Sequence, residues 1–155
     1  MSSVPGGFDH LMSLAMTTEE REAFLAGVHV GVLSVAGGDG RAPLSLPIWY
    51  LYEPGGEIRF ITGEHSSKAR LLQAAGRASL CVQTEDPPYR YVTVEGSLVA
   101  VEQPVDPTIR RTVARRYLGV EGGDAWAAAM DGSGSVFVRL RPERWLSADF
   151  SKEYS

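Results

Sequence analysis

The sequence predicts a mainly β, antiparallel fold of six or seven strands with a few short helices, curled into a small barrel. Two observations carry this. Short apolar, β-branched runs recur along the chain, and Gly- and Pro-rich turns of hairpin type separate them. A sheet of such strands has exposed edges, and closure into a barrel is the usual way to remove them.

Residues 1–16 read as an N-terminal arm or short helix ahead of a single domain over 17–155. Thr17-Thr18-Glu19-Glu20 has the form of a capping box and opens a helix through about Ala26, with Gly27 as its stop. Val28–Ala36 is apolar on both faces and reads as a strand covered on both sides. Gly37-Gly38-Asp39-Gly40 is a hairpin turn, because glycine and aspartate tolerate positive φ. Ala42–Tyr52 is the second strand. Pro43 and Pro47 lack an N–H, which puts it at an edge or a bulge.

After the Glu53-Pro54-Gly55-Gly56 turn, Glu57–Thr62 forms strand three. Lys68–Ala75 forms a short helix, and Ala78–Thr84 forms strand four. Tyr89–Glu102 is a long strand with Gly96 as a bulge or bend. Thr108–Leu118 is helical, stopped by Gly119, and Asp124–Met130 suggests a further helix. Asp131–Ser135 is a loop, and Val136–Arg141 and Arg144–Phe150 are the last two strands.

Composition narrows the function. The chain has 155 residues, 15 Lys+Arg and 19 Asp+Glu, for a net charge of −4, so bulk attraction to nucleic acid or anionic lipid is not expected. Its one cysteine, Cys81, permits no intrachain disulfide or thiolate metal site, and its apolar neighbours suggest a buried, inert thiol. His10, His29 and His65 show no metal-ligand spacing. No apolar run approaches a membrane span and no secretory signal is recognisable, so the expected location is the cytoplasm.

Of the two lysines, Lys68 is the one in the body of the chain. It lies in Thr62-Gly63-Glu64-His65-Ser66-Ser67-Lys68-Ala69-Arg70, where a strand ends and a helix begins. Ser66 or Ser67 suits the N-cap. The first turn should favour acidic residues, yet it carries Lys68 and Arg70. Two readings stand. Both cations are solvated or pair with Glu64, or they converge with serine hydroxyls and free N–H groups on phosphate oxygens. The order of residues is neither a Walker A loop nor a Rossmann turn.

Ser66-Ser67-Lys68-Ala69-Arg70-Leu71-Leu72, Arg77–Val82, Pro88-Tyr89-Arg90-Tyr91-Val92 and Glu95-Gly96 together resemble the pyridoxamine 5′-phosphate oxidase-like split β-barrel superfamily. Within it, the likeness is closest to the F420-binding flavin/deazaflavin oxidoreductases of actinobacteria. It extends to Gly31–Val35, Leu44–Tyr50 and Arg141–Trp145. Leu71 stands where the family often has Asn, and Ala75-Gly76 replaces a common Asp-Pro.

The resemblance implies a homodimer with the cofactor in a groove at the interface. Lys68, with Ser66, Ser67, Ala69 and Arg70, would hold the cofactor phosphate, and Thr62 would line that end. Ser45, Pro47, Ile48 and Trp49 would lie along the ring system, and Tyr89 would reach in from the partner subunit. The implied activity is hydride transfer between coenzyme F420 and an unsaturated or oxidised small molecule. An FMN-dependent oxidase or reductase is the alternative, and a non-catalytic cofactor or haem carrier is a third class. No residue is assigned a catalytic role, because the cofactor performs the chemistry.

Arg110, Arg111, Arg115 and Arg116 give the helix over 108–118 a basic side, either a solvated face or one that meets the anionic tail of F420. Trp49 and Tyr50 point to opposite faces of their strand, with core or dimer packing the default for both.

Overall fold

The computed structural model describes residues 13–130 and 132–154. Six strands form one sheet: β1 (Gly31–Val35), β2 (Leu44–Ile48), β3 (Ile58–Gly63), β4 (Arg77–Gln83), β5 (Arg90–Glu102) and β6 (Ser135–Asp149). Among the described residues three helices, α1 (Thr18–Ala26), α2 (Ser67–Ala75) and α3 (Pro107–Ala129), pack around it, and a 3-10 turn, Phe150–Tyr154, follows β6. The arm expected over 1–16 falls largely outside the described residues. Leu14 and Met16 are nevertheless buried, and Asp149 N–H donates to the Leu14 carbonyl at 2.8 Å.

The strand order is β2-β1-β4-β5-β6-β3, with every neighbouring pair antiparallel. Tyr50, Phe60, Leu33, Ile58, Leu80, Leu140, Val82 and Val92 fill the interior of the curled sheet. The two edge strands approach each other at one bridge, where Leu51 and Arg59 exchange N–H···O bonds of 2.7 and 3.0 Å. The mainly β antiparallel split barrel is therefore present, and Pro47 lies on an edge strand, where a missing N–H is tolerated.

Local signals account for the element ends. Thr17 Oγ1 accepts from Glu20 N–H at 3.1 Å, and Glu20 Oε1 accepts from Thr17 N–H at 2.8 Å, completing the capping box of α1. Gly76 closes α2 at φ 73°, the left-handed conformation that favours glycine. Gly119, at φ 79°, divides α3 into two arms that fold back on each other. The arms touch at Gly123, where an added Cβ would lie 2.5 Å from the Arg115 nitrogen. Arg115 and Asp124 join them by bonds of 2.6 and 2.8 Å. No helix among the described residues is long and apolar enough to cross a membrane.

Three expectations need correction. The two final strands are one, β6. Its register passes from Arg144 opposite Glu95 to Pro142 opposite Gly96, leaving Glu143 as an extra residue. The bulge absorbs the proline, and Gly96 allows it, since a Cβ there would lie 3.1 Å from the Arg141 carbonyl oxygen. The first strand is covered on one face only. Leu33 and Val35 point inward, while Val28, Val30 and Val32 are 58, 56 and 42% exposed. Cys81 is half-buried on the same outer face, because alternation turns Leu80 and Val82 inward instead.

Candidate functional site

Continuing the register of the Leu51–Arg59 bridge would set Trp49 against Ile61, Ile48 against Thr62 and Pro47 against Gly63. No strand pairing joins these residues. All six line a groove of about 570 Å³ that opens where β2 and β3 splay apart. The split in the barrel is thus the candidate site. Lys68 from the start of α2, Ser135 from β6 and Arg110, Val113, Trp126 and Met130 from the α3 hairpin complete its walls, with Val30 at the margin.

The polar end is built by the turn between β3 and α2. Ser66 is the N-cap, its Oγ accepting from Ala69 N–H at 3.1 Å and donating to the Gly63 carbonyl at 2.8 Å. Thr62 Oγ1 lies 3.3 Å from the same hydroxyl. The first intrahelical bond runs from Arg70 N–H to the Ser66 carbonyl, so the Ser67 and Lys68 N–H groups precede the ladder and carry the positive end of the helix.

Lys68 is half-buried, with its ammonium 5.9 Å from the centre of the Phe60 ring. It has no hydrogen-bond or ion-pair partner among the described residues. Glu64 instead faces His65 at 3.9 Å and Gln103 at 3.4 Å, so the pairing of Lys68 with Glu64 does not form. Burial holds the Lys68 ammonium below its ordinary pKa. A desolvated cation without a counter-charge, at a helix N-terminus with hydroxyls close by, suits a phosphate ester.

The opposite end is aromatic. Trp49 stacks on Tyr117 with ring centroids 5.0 Å apart and planes 4° from parallel, and Trp126 tilts against it at 5.7 Å. Tyr117 Oη accepts from Tyr50 N–H at 3.0 Å and donates to the His29 carbonyl at 2.7 Å, fixing the hairpin to the end of β2. Arg116 adds bonds of 2.8 Å to the Ala26 and Gly27 carbonyls at the end of α1. Tyr50 itself points into the core and donates to the Leu25 carbonyl at 2.7 Å, so the two neighbouring aromatics do face opposite ways.

Pro47, Ile48, Trp49, Thr62 and Lys68 therefore come together in one groove. Ser66 stands behind them as the cap, and Ala69 is buried beneath. Ser67 and Arg70 are exposed and outside the groove lining. Ser45 is exposed on β2 and bonds Ser34 across to β1 at 2.8 Å. Tyr89 is 52% exposed in the turn before β5, outside the lining, and its carbonyl accepts from Phe150 N–H at 2.9 Å. Reasoning from sequence gave Val113, Trp126, Met130, Ile61 and Ser135 no place in the site. The helical spacing of Ile109, Val113 and Tyr117 is the one local signal that this helix packs by that face. Among the described residues, no cluster of His, Cys, Asp and Glu is placed to hold a metal ion.

The sequence profile described as pyridoxamine 5′-phosphate oxidase matches residues 17–148. Among solved structures, the chain is similar to an F420 reductase at 25% identity and TM-score 0.67, covering 81% of this chain and 94% of that one. It is similar to protein Rv2991 of Mycobacterium tuberculosis at 26% identity and TM-score 0.74, with 92 and 91% covered. An FAD-binding protein of Mesorhizobium loti shares the fold at 22% identity and TM-score 0.61, with 86 and 92% covered. Comparison with curated protein sequences gave no match. A profile match across most of the chain, on a barrel split at a phosphate-suited groove, shows that this protein belongs to the pyridoxamine 5′-phosphate oxidase family.

Proposed function

We propose that this protein is an F420-dependent oxidoreductase that reduces an unsaturated or oxidised small molecule. The observation that carries the reading is Lys68, a desolvated cation without a partner among the described residues, set at one end of a groove whose other end is aromatic. In this reading Lys68 and the N-terminus of α2 bind the phosphate, with Ser66 and Thr62 beside them. Pro47, Ile48 and Trp49 run along the ring system and exclude water from one side. When bound, the deazaflavin supplies the hydride. Val30, Val113, Trp126 and Met130 leave an apolar wall for a planar substrate such as an enone or quinone. The F420 reductase among the similar structures supports the deazaflavin.

A homodimer belongs to the same proposal. Pro47, Val32, Cys81, Thr93 and Leu146 are register partners in a row across the outer face of the sheet. Val32 is 42% and Leu146 62% exposed. The row runs into the groove, since Pro47 belongs to both and Val30, two residues before Val32, lines the groove. A second copy seated on this face would cover the apolar row and bring its Tyr89 to the groove.

The test is titration of the purified protein with F420 and with FMN, followed by fluorescence. Micromolar or tighter F420 binding is expected. Tight FMN binding without F420 binding would replace the proposal with an FMN-dependent oxidase or reductase. Binding without turnover on quinones, enones and tetrapyrroles would identify a carrier.

A further inference from the structure

We infer that Arg110, carried by the α3 hairpin, is a second ligand for the cofactor's phosphate ester and shares it with Lys68. The inference rests on the cofactor reading above. Its ground is a chain of contacts that places Arg110 at the polar end of the groove. Arg110 Nη2 donates to the Gly132 carbonyl at 3.4 Å. Two residues on, the Gly134 carbonyl accepts from Glu64 N–H at 2.7 Å, and Ser135 pairs with Gly63. Gly63 is in turn tied to Ser66, the cap of the helix that carries Lys68. Seven residues further along α3, Tyr117 stacks at the aromatic end. The first arm of the hairpin therefore runs the length of the groove, with Arg110 at the phosphate end.

Three features together point to Arg110. It lines the groove, where among the described residues Lys68 is the other charged side chain and no carboxylate is present. It has no carboxylate partner among the described residues, whereas Arg115, Arg139 and Arg77 each have one. Its guanidinium rests against the backbone of Gly132, where a Cβ would collide with it, so the loop leaves a seat that any side chain would fill. Two cations in a groove lining that holds no carboxylate among the described residues leave an excess positive charge that a phosphate ester would neutralise, and a guanidinium adds bidentate geometry to the point charge of lysine.

The test compares wild type, Arg110→Ala, Arg110→Lys and Lys68→Ala by fluorescence titration with FMN, riboflavin and F420. Arg110→Ala should raise Kd for the phosphate-bearing ligands about 10- to 100-fold. Arg110→Lys should recover part of the loss. Riboflavin, which has the ring and lacks the phosphate, should bind every variant within about twofold of wild type. Equal losses for FMN and riboflavin would mean that Arg110 only props the loop, and would overturn the inference. It would also fall if Lys68→Ala weakened FMN or F420 binding while Arg110→Ala did not, with the cofactor reading left intact. Wild-type protein that bound neither FMN nor F420 would refute both.

Discussion

Gly122 and Gly123 are neighbours on the second arm of α3, and the structure gives their replacement by alanine opposite signs. Alanine gains about 0.8–1.0 kcal/mol of helix propensity over glycine at either position. At Gly122 the new methyl would meet Leu118 Cβ at 3.5 Å, an ordinary contact, so Gly122→Ala should stabilise by up to about 1 kcal/mol. At Gly123 the same methyl would lie 2.5, 2.6 and 2.7 Å from backbone atoms of Arg115 and Ala114. Backbone cannot rotate away as a side-chain tip can, so the two arms must separate by about 1 Å. Overpacking of this kind costs about 1–3 kcal/mol, and with three backbone contacts the upper figure applies. Less the propensity gain, Gly123→Ala should destabilise by about 2 kcal/mol. With about 2.1 cal/mol/K of unfolding entropy per residue, that lowers Tm by about 6 °C, while Gly122→Ala raises it by up to about 3 °C. Thermal unfolding by circular dichroism reads both. The near-ultraviolet signal of Trp49 and Trp126 should weaken in Gly123→Ala alone. A Gly123→Ala protein as stable as Gly122→Ala would refute the packing of the two arms.

Other outcomes follow from the same structure. Lys68→Ala should weaken F420 or FMN binding about 10- to 150-fold, as loss of a charge-assisted bond does, with Tm unchanged; an unchanged Kd would remove Lys68 from the site. Leu146→Lys should convert a dimer to a monomer in light scattering without loss of Tm, and a dimer that persisted would exclude this face as the interface. Acid should act through Glu20. The side-chain bond to Lys152 and the backbone bond to Thr17 hold its carboxyl at about 2, below the usual 4.5. Its folded pKa is depressed, so its contribution is complete above pH 4.5 and disappears as pH falls toward 2. Glu20→Gln should therefore flatten the decline of Tm with pH in that window, and identical profiles would count against the pairing.

Much of the candidate site was legible because its polar end is local. Ser66, Lys68 and Thr62 lie within seven residues of one another, and one cap and one helix start bring them together. Cations in a first helical turn that lacks acidic residues are a local contradiction, and a ligand can resolve it. Capping at Thr17 and the bulge at Gly96 were legible for the same reason, since each depends on neighbours in sequence or on one glycine.

What the sequence by itself determined was the strand-and-turn pattern, the edge position of Pro47 and the anion-suited start of α2, all properties of short stretches. Tertiary structure decided the rest. Where β2 and β3 stop pairing depends on the curl of the whole sheet, which brings Leu51 to Arg59 and then lets Ile48 and Thr62 part. Which side of β1 is covered depends on what packs there, and alternation alone leaves Val28, Val30 and Val32 outside. That Arg110 and Lys68 share a groove, 42 positions apart in the chain, follows from a hairpin anchored through Tyr117 and seated against Gly132. Local chemistry is written in neighbouring residues, whereas a cavity belongs to segments that meet only after the sheet has closed.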